Sequence, residues 1–172
     1  SELVLRNLSW AADEVDLQPR PANFADADQH LTAMKADVVL AAFGYNESFA
    51  SREGLPAFRE RLTKYLKDLK AKAFNGKSAA RVVLVSPIAN ENVKGVAAAD
   101  RNNGNIKAYL KVMEEVAAEQ KVGFVDSFTA TEKAMASPGN DLTMNGAHLN
   151  EKGYQLFAST VFAQLFGKEA PK

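Results

Sequence analysis

The chain has 172 residues, of which 47% are hydrophobic and 24% charged, a balance typical of one globular domain. Its 21 basic residues equal its 21 acidic residues, so the formal net charge is zero and no overall field favours nucleic acid or anionic lipid. The absence of cysteine excludes a disulfide framework, a thiolate metal site and a cysteine nucleophile. No apolar run reaches the roughly 18 residues that a membrane helix needs.

Short apolar runs alternate with amphipathic segments along the chain. The apolar runs predict strands; they are the end of a strand at residues 3–5, then Val38–Ala42, 82–85 and 123–126. Apolar residues at steps of three and four predict helices; these lie at 26–35, 55–69, 106–117 and from 151 to near the end of the chain. Residues 90–104 are polar and punctuated by glycine, which predicts a surface loop.

This alternation is typical of an α/β domain with a parallel sheet. We expect Val38–Ala42 and 82–85 to be adjacent, parallel and fully buried, because both are continuous apolar runs joined by an amphipathic helix. Neither a repeat nor a linker interrupts the sequence, so we expect residues 1–167 to form one domain and 168–172 a frayed tail.

The loops next to the predicted strands carry the candidate chemistry, because ligands of open α/β sheets bind beyond the carboxyl ends of the strands. These loops are rich in Asn, Ser and Glu and carry one of only two histidines; they are residues 7–13, 43–48, 86–92 and 145–150. No pair of histidines or acids has the spacing of metal ligands, so we expect neither a metal nor a cofactor.

Three sequence blocks in these loops resemble those of the SGNH, or GDSL-like, hydrolases. The run G-Y-N-E at 44–47 resembles the G-x-N-D/E block of that family. The run N-G-A-H-L-N-E-K-G-Y at 145–154 resembles its last block, D-G-x-H-x-N-x-x-G-Y, and N-L-S-W-A-A-D at 7–13 resembles its N-x-G-x-S-G-D block. The ordered set implies a three-layer α/β/α sandwich with a mostly parallel, flavodoxin-like sheet.

The resemblance implies roles for four residues. In this family a serine attacks an ester carbonyl, a histidine is its base, and an asparagine side chain and a backbone N–H stabilise the oxyanion. By position, His148 is the base, Asn46 is the side-chain donor, and Ala12 is the backbone donor where the family usually has glycine. Asn145 stands where the family usually has an acid. An amide orients an imidazole but does not stabilise imidazolium as a charge does.

The Gly-Asp-Ser block that carries the family's nucleophile is not found in this sequence. We expect the chain to begin at the family's second strand, so that a strand, its serine loop and a helix lie outside it, about 30 residues by the size of a βα unit. In the family's strand order, the missing first strand lies between residues 3–5 and Val38–Ala42.

The resemblance therefore implies an esterase or deacetylase for small-molecule or carbohydrate esters, in a form without its nucleophilic serine. The alternative is a non-catalytic binding module that keeps the fold, and a third possibility is a flavodoxin-like ligand binder. The residues of the three blocks resemble those of a branch of the family whose domains are attached to large exported bacterial proteins. This resemblance implies a periplasmic or extracellular location. We expect neither nucleic acid nor membrane as a partner.

Three other interpretations of the loop residues are weaker. Ser9 and Ser48 are candidate substitute nucleophiles. The resemblance disfavours both, because in the family their loops supply supporting backbone and side-chain groups and not the nucleophile. Glu47 and Glu91 would be a carboxylate pair for glycoside chemistry, but their loops lack related spacing. Trp10 is either a packing residue, which we favour, or a platform on which a sugar stacks.

Overall fold

The computed structural model describes residues 3–137 and 139–169. Its helices and strands are, in chain order, α1 (Ala27–Ala33), β1 (Val38–Ala42), α2 (Leu55–Lys70), β2 (Arg81–Val85), β3 (Asn92–Val93), β4 (Val96–Ala97), α3 (Ala98–Gln120), β5 (Gly123–Val125), α4 (Ser127–Met135) and α5 (Glu151–Phe166). Two short 3-10 helices, Glu47–Ala50 and Arg52–Gly54, precede α2. Most of the predicted tail at 168–172 lies outside the described residues.

The main sheet has three strands in the order β1-β2-β5. Both pairs are parallel, with Val39 opposite Val82 and Leu84 opposite Phe124. The predicted adjacency of Val38–Ala42 and 82–85 is therefore confirmed, as is the α/β class. Strands β3 and β4 form a separate antiparallel hairpin. None of the described helices is long and apolar enough to cross a membrane.

The core lies between one face of the sheet and helices α2 and α3. From the sheet come Val39, Ala41, Val82 and Leu84, which alternate with residues of the opposite face. Helix α2 contributes Phe58, Leu62, Leu66 and Leu69, whose spacing predicts its buried stripe, and α3 contributes Tyr109, Met113 and Val116. Burying this stripe holds β1 and β2 in place, and with them the loops at their carboxyl ends.

The other face of β1 is exposed, so the prediction that Val38–Ala42 and 82–85 are both fully buried is wrong. Val38 and Leu40 are 44% and 46% exposed, and Val83 on β2 is half-buried. The reason is position in the sheet: β1 is at one edge, whereas α5 packs against β5 at the opposite edge. Periodicity cannot reveal whether a neighbour covers the second face of a strand.

Residues 3–5 are not a strand, which corrects a second prediction. Leu3, Val4 and Leu5 have irregular structure and are 94%, 61% and 78% exposed. An apolar run becomes a strand only when another strand satisfies its backbone N–H and C=O groups. Neither β1 nor any other strand of the described residues pairs with this run.

The prediction of a surface loop at 90–104 is also wrong in part, because α3 begins at Ala98. The side-chain oxygen of Asn92 accepts hydrogen bonds from the backbone N–H groups of Ala99 (2.9 Å) and Asp100 (3.4 Å). These bonds cap the first turn of α3 from outside the helix, which stabilises it despite the low helix propensity of the residues that follow.

Candidate active site

The loop after β1 begins with a buried glycine in a conformation that other residues avoid. Gly44 has φ +100°, and a Cβ atom there would lie 2.9 Å from the Sδ atom of Met113. Both the turn and the close approach therefore require glycine. The turn directs the chain from β1 into the 3-10 helix Glu47–Ala50, and Asn46 stands immediately before that helix.

The side chain of Asn46 bridges to the loop that contains Ala12. Its Nδ2 atom donates a hydrogen bond of 3.2 Å to the backbone oxygen of Asp13. An amide nitrogen carries two hydrogens, so this contact fixes the amide and leaves the second hydrogen for a ligand. The geometry suits an oxyanion donor, and that role stays a prediction.

Glu47 holds the same two loops together through a buried carboxylate. One oxygen accepts a hydrogen bond of 2.9 Å from the backbone N–H of Val15, and the other accepts one of 2.8 Å from that of Gly44. The residue is 5% exposed, and this burial raises the pKa of its carboxyl above the ordinary value. The position of Asn46 therefore depends on its neighbour, a link that the sequence pattern did not predict.

Ala12 has a positive φ of 65°, which is unusual for a residue other than glycine. It is the third residue of a turn in which the N–H of Asp13 donates to the oxygen of Trp10 at 3.3 Å. A turn with positive φ at its third residue favours glycine, the residue that the related family usually has here. Ala12 thus has a backbone conformation that favours glycine, although it carries a side chain.

An ion pair closes the loop that carries Ala12. Both terminal nitrogens of Arg20 donate to the carboxylate of Asp13, at 2.7 and 2.6 Å, and both side chains are largely buried. The guanidinium also lies 4.9 Å from the ring centre of Trp10, whose other neighbour is Phe24 at 5.4 Å. Trp10 therefore has packing contacts, but it stays 45% exposed.

Asn145 contacts His148 as the sequence predicts. Its Oδ1 atom lies 3.1 Å from Nδ1 of the imidazole and accepts hydrogen bonds from the backbone N–H groups of His148 (3.0 Å) and Ala147 (3.2 Å). The two backbone donors identify this atom as the amide oxygen, because only an oxygen accepts them. In a neutral imidazole, this contact places the proton on Nδ1 and leaves the lone pair on Nε2, the arrangement that a general base requires.

Glu91 binds the histidine loop through its carboxylate and its backbone N–H, and the sequence did not predict these contacts. Its buried carboxylate accepts bonds from the N–H groups of Leu142 (3.1 Å) and Thr143 (2.8 Å) and from the Thr143 hydroxyl (2.5 Å). Its own N–H donates to the oxygen of Gly146 at 2.8 Å. Since Glu91 and Glu47 each bind backbone groups of different loops, the geometry disfavours their use as a glycosidase pair.

Helix α3 links the loop after β1 to the loop after β2. Asn102 donates to the hydroxyl of Ser48 at 3.2 Å, and Asn103 exchanges two bonds, of 2.7 and 3.0 Å, with the backbone of Asn90. Both loops leave the carboxyl ends of parallel strands, so the histidine loop held by Glu91 and the loop of Asn46 belong to one edge of the sheet. Ser48 is fully buried, which disfavours it as a nucleophile.

The described residues contain no group of three His, Asp or Glu side chains that could hold a metal ion. The fold and this edge define an α/β protein with a histidine and several asparagine side chains near the carboxyl ends of its parallel strands. The model of the GDSL-like lipase/acylhydrolase family matches residues 3–156. The chain therefore belongs to the GDSL-like lipase/acylhydrolase family. A comparison with curated proteins found no significant match.

Solved structures with a similar fold include several esterases. One is a mutant of an acetyl-xylooligosaccharide esterase from Geobacillus, with TM-score 0.62 and 18% identity over 82% of this chain and 64% of that one. Another is a lipase/acylhydrolase from Enterococcus faecalis, with TM-score 0.55 and 24% identity over 81% of this chain and 66% of that one. The chain thus spans about two thirds of the length of these structures, and the likeness establishes the fold.

Proposed function

We propose that this chain is the major part of an SGNH-type hydrolase that removes acyl groups from carbohydrate esters, and that its nucleophilic serine lies on a segment outside this sequence. The contact between Asn145 Oδ1 and His148 Nδ1 carries the proposal, because it leaves Nε2 free to accept a proton. Family membership supports the reaction class.

The reaction follows from the groups at the sheet edge. The serine oxygen bonds to the ester carbonyl carbon while its proton passes to Nε2 of His148, and negative charge develops on the carbonyl oxygen. The second amide hydrogen of Asn46 and the N–H of Ala12 are the donors for that charge. Collapse expels the alcohol, which takes the proton from His148, and water then releases the acyl group by the same steps.

The exposed face of β1 supports the placement of the serine segment. A strand that pairs with β1 at the free edge of the sheet, followed by a helix over its open face, would cover Val38 and Leu40. Covering the exposed halves of both side chains is worth about 1.5–3 kcal/mol in total, since full burial of one such side chain is worth about 1.5–3 kcal/mol. The same strand would give residues 3–5 a pairing partner.

The choice of carbohydrate ester rests on two supports. Several of the similar structures are described as esterases for acetylxylan or acetyl-xylooligosaccharides. In this chain, Trp10 belongs to the same turn as Ala12, the turn whose Asp13 oxygen accepts from Asn46, and it is 45% exposed, which leaves ring surface for a sugar.

The test compares the chain as given with a longer protein that carries an upstream Gly-Asp-Ser segment, using an aryl acetate and acetylated xylo-oligosaccharides. The longer protein should hydrolyse both, and the chain as given should be no faster than its His148→Ala variant. Asn46→Ala in the longer protein should lower turnover by about 10²–10³, the usual loss for one oxyanion donor. Turnover by the chain as given that depends on His148 would show that another nucleophile acts.

The amide at Asn145 favours a second candidate, a non-catalytic binding module with the same fold. An amide orients the imidazole but leaves imidazolium without a compensating charge. A longer protein that has Gly-Asp-Ser in place, binds acetylated xylo-oligosaccharides and hydrolyses no ester would establish this module instead.

A further inference from the structure

Asparagine is followed by glycine at three places in the chain, at residues 75–76, 103–104 and 145–146. At such a dipeptide the backbone nitrogen of the glycine can attack the carbonyl carbon of the asparagine side chain, which closes a succinimide ring and releases ammonia. Glycine favours this reaction, because it has no Cβ atom to hinder the nitrogen and its backbone rotates freely. The surroundings of the three asparagines differ, and only those of Asn145 fit the reaction.

The side-chain oxygen of Asn145 already accepts three N–H groups. They are the backbone N–H groups of Ala147 (3.2 Å) and His148 (3.0 Å) and, in the neutral imidazole, the Nδ1–H of His148 (3.1 Å). Attack on the side-chain carbon drives negative charge onto this oxygen, so donors aimed at it lower the barrier as an oxyanion hole does. The residue is exposed, so ammonia can leave directly to solvent.

The attacking nitrogen has a path for its proton. The N–H of Gly146 donates to Thr143 Oγ1 at 3.0 Å, and that hydroxyl donates to the carboxylate of Glu91 at 2.5 Å. Both side chains are buried, so water does not compete strongly for these bonds. An amide nitrogen becomes nucleophilic as it gives up its proton. The hydroxyl and the carboxylate therefore form a relay that takes this proton.

The other two asparagines that precede glycine lack this arrangement. The oxygen of Asn75 also accepts two backbone N–H groups, but its Nδ2 atom donates to Asp37 at 2.8 Å, and the N–H of Gly76 donates to a backbone carbonyl. A carbonyl has no proton to pass on, so no relay forms. Asn103 lies within α3, and both its side-chain oxygen and its side-chain nitrogen bind the backbone of Asn90.

We propose that Asn145 converts to aspartate in the folded protein, through a succinimide with Gly146. The Gly146 nitrogen bonds to Cγ of Asn145 and its proton passes to the relay of Thr143 and Glu91. The Cγ–Nδ2 bond then breaks, and Nδ2 takes a proton and leaves as ammonia. Water adds its hydroxyl to Cγ and its hydrogen to the nitrogen, which restores the peptide bond and leaves a side-chain carboxyl group.

The same donors select the product. Water that attacks Cγ gives aspartate, whereas water that attacks the backbone carbonyl carbon gives isoaspartate, in which the main chain runs through the side chain. The three N–H groups polarise Cγ, because they bind the oxygen attached to it. Aspartate is therefore the main product in the folded protein.

The conversion places a charge beside the proposed base. An aspartate at position 145 keeps the acceptor for Nδ1 of His148 and adds a negative charge that stabilises imidazolium, which the amide does not. This consequence rests on the proposed function, whereas the conversion itself does not. A hydrolase made with asparagine at this position thus gains its charge after folding, without another enzyme.

The test uses the chain as given and follows all three Asn-Gly sites by peptide mass spectrometry during incubation at neutral pH, in buffer and in denaturant. Electron-transfer fragmentation distinguishes aspartate from isoaspartate. In the folded chain, Asn145 should convert at least tenfold faster than Asn75, which is the matched control, and faster than it does in denaturant. Its main product should be aspartate.

Two variants test the proton relay. Thr143→Val removes the hydroxyl and should slow conversion of Asn145 by about 10² or more, because a positioned proton acceptor contributes about 10²–10⁴. Thr143→Ser keeps the hydroxyl and should keep the rate. The free energy of unfolding of each variant shows whether it is folded, and the comparisons within the unchanged protein decide the matter without either variant.

Two results would overturn the inference: conversion of Asn145 that is no faster in the folded chain than in denaturant, and an unchanged rate in folded Thr143→Val. The two proposals fail separately. In the longer protein, hydrolysis of an aryl acetate should rise in step with conversion of Asn145. Conversion without hydrolysis leaves the modification standing without the esterase, and hydrolysis by a protein that keeps its asparagine leaves the esterase standing without the modification.

Discussion

The backbone N–H of Val15 donates a 2.9 Å hydrogen bond to the buried carboxylate of Glu47, which lies 32 residues further along the chain. The other carboxylate oxygen accepts from the N–H of Gly44 at 2.8 Å. These two bonds join the loop of Ala12 to the loop of Asn46, so the two proposed oxyanion donors are held by one side chain. Glu47 is therefore a positioning residue for this part of the site.

Glu47→Gln should lower the free energy of unfolding at neutral pH by about 1–3 kcal/mol, because its amide NH₂ group faces a backbone donor and leaves it unsatisfied. The contribution of Glu47 to the free energy of unfolding should fall as the pH rises, whereas that of most acids, whose pKa is lowered by folding, increases. Burial raises the pKa of Glu47 above 4.5 in the folded chain, so the folded chain binds more protons than the unfolded chain between these two pKa values. The stability advantage of the unchanged protein over Glu47→Gln should therefore be greatest at low pH and fall as the pH rises through the folded pKa.

Denaturant unfolding between pH 4 and 8 measures both effects. Glu53→Gln, at an exposed residue, is the matched control and should show neither of them. An advantage of the unchanged protein that grows with rising pH would contradict the assignment.

Ala12→Gly should raise the free energy of unfolding, by up to about 1 kcal/mol. Glycine removes the cost of a positive φ of 65°, and part of that gain is offset by the greater freedom of glycine in the unfolded chain. Ala11 is exposed and has no positive φ, so Ala11→Gly should instead lower the free energy of unfolding by about 0.4–1 kcal/mol. Thermal unfolding of the two variants side by side decides the matter, and a loss of the same size in both would show that Ala12 is not strained.

Gly44→Ala should destabilise the fold more than Gly76→Ala does. Both glycines have positive φ, +100° and +71°, but a Cβ atom at Gly44 would meet Met113 at 2.9 Å whereas nothing lies within 4 Å at Gly76. The conformation alone costs about 1–2 kcal/mol, and overpacking adds roughly 1–3 kcal/mol at Gly44 only. Equal decreases in the free energy of unfolding of the two variants, measured with denaturant, would show that Met113 does not crowd the turn after β1.

Asn145→Ala in the longer, serine-containing protein should lower kcat at least tenfold, whereas Asn145→Asp should keep or raise it. Alanine removes the acceptor for Nδ1 of His148 and for two backbone N–H groups, whereas aspartate keeps all three bonds and adds a charge that stabilises imidazolium. A loss in both variants would assign Asn145 a role other than orienting the imidazole. The measurement is steady-state hydrolysis of an aryl acetate.

Local patterns predicted the elements that depend on near neighbours. The apolar runs of β1 and β2 and the stripe of α2 follow from periodicity. The predicted start of the last helix at 151 agrees with the structure, in which the side chain of Asn150 caps α5 by accepting from the N–H of Gly153 at 3.0 Å. Motif spacing likewise predicted that Asn145 contacts His148.

Features that depend on distant contacts were not predictable in this way. The exposed face of β1 reflects its place at the sheet edge, and the early start of α3 reflects a cap from Asn92. The roles of Glu47 and Glu91 rest on backbone donors 32 and more than 50 residues away. Nothing in the sequence near a glutamate indicates that its carboxylate binds such groups.

Hydrolysis of an aryl acetate by the longer protein, measured with and without His148→Ala, tests the proposed base most directly. His30→Ala, which removes the other of the two histidines, is the matched control. Loss of a general base in a serine site leaves only the residual rate due to oxyanion donors and binding, so His148→Ala should lower kcat by about 10³ or more. His30→Ala should leave kcat within about twofold. A His148→Ala variant that keeps the rate of the control would contradict the assignment of His148 as the base.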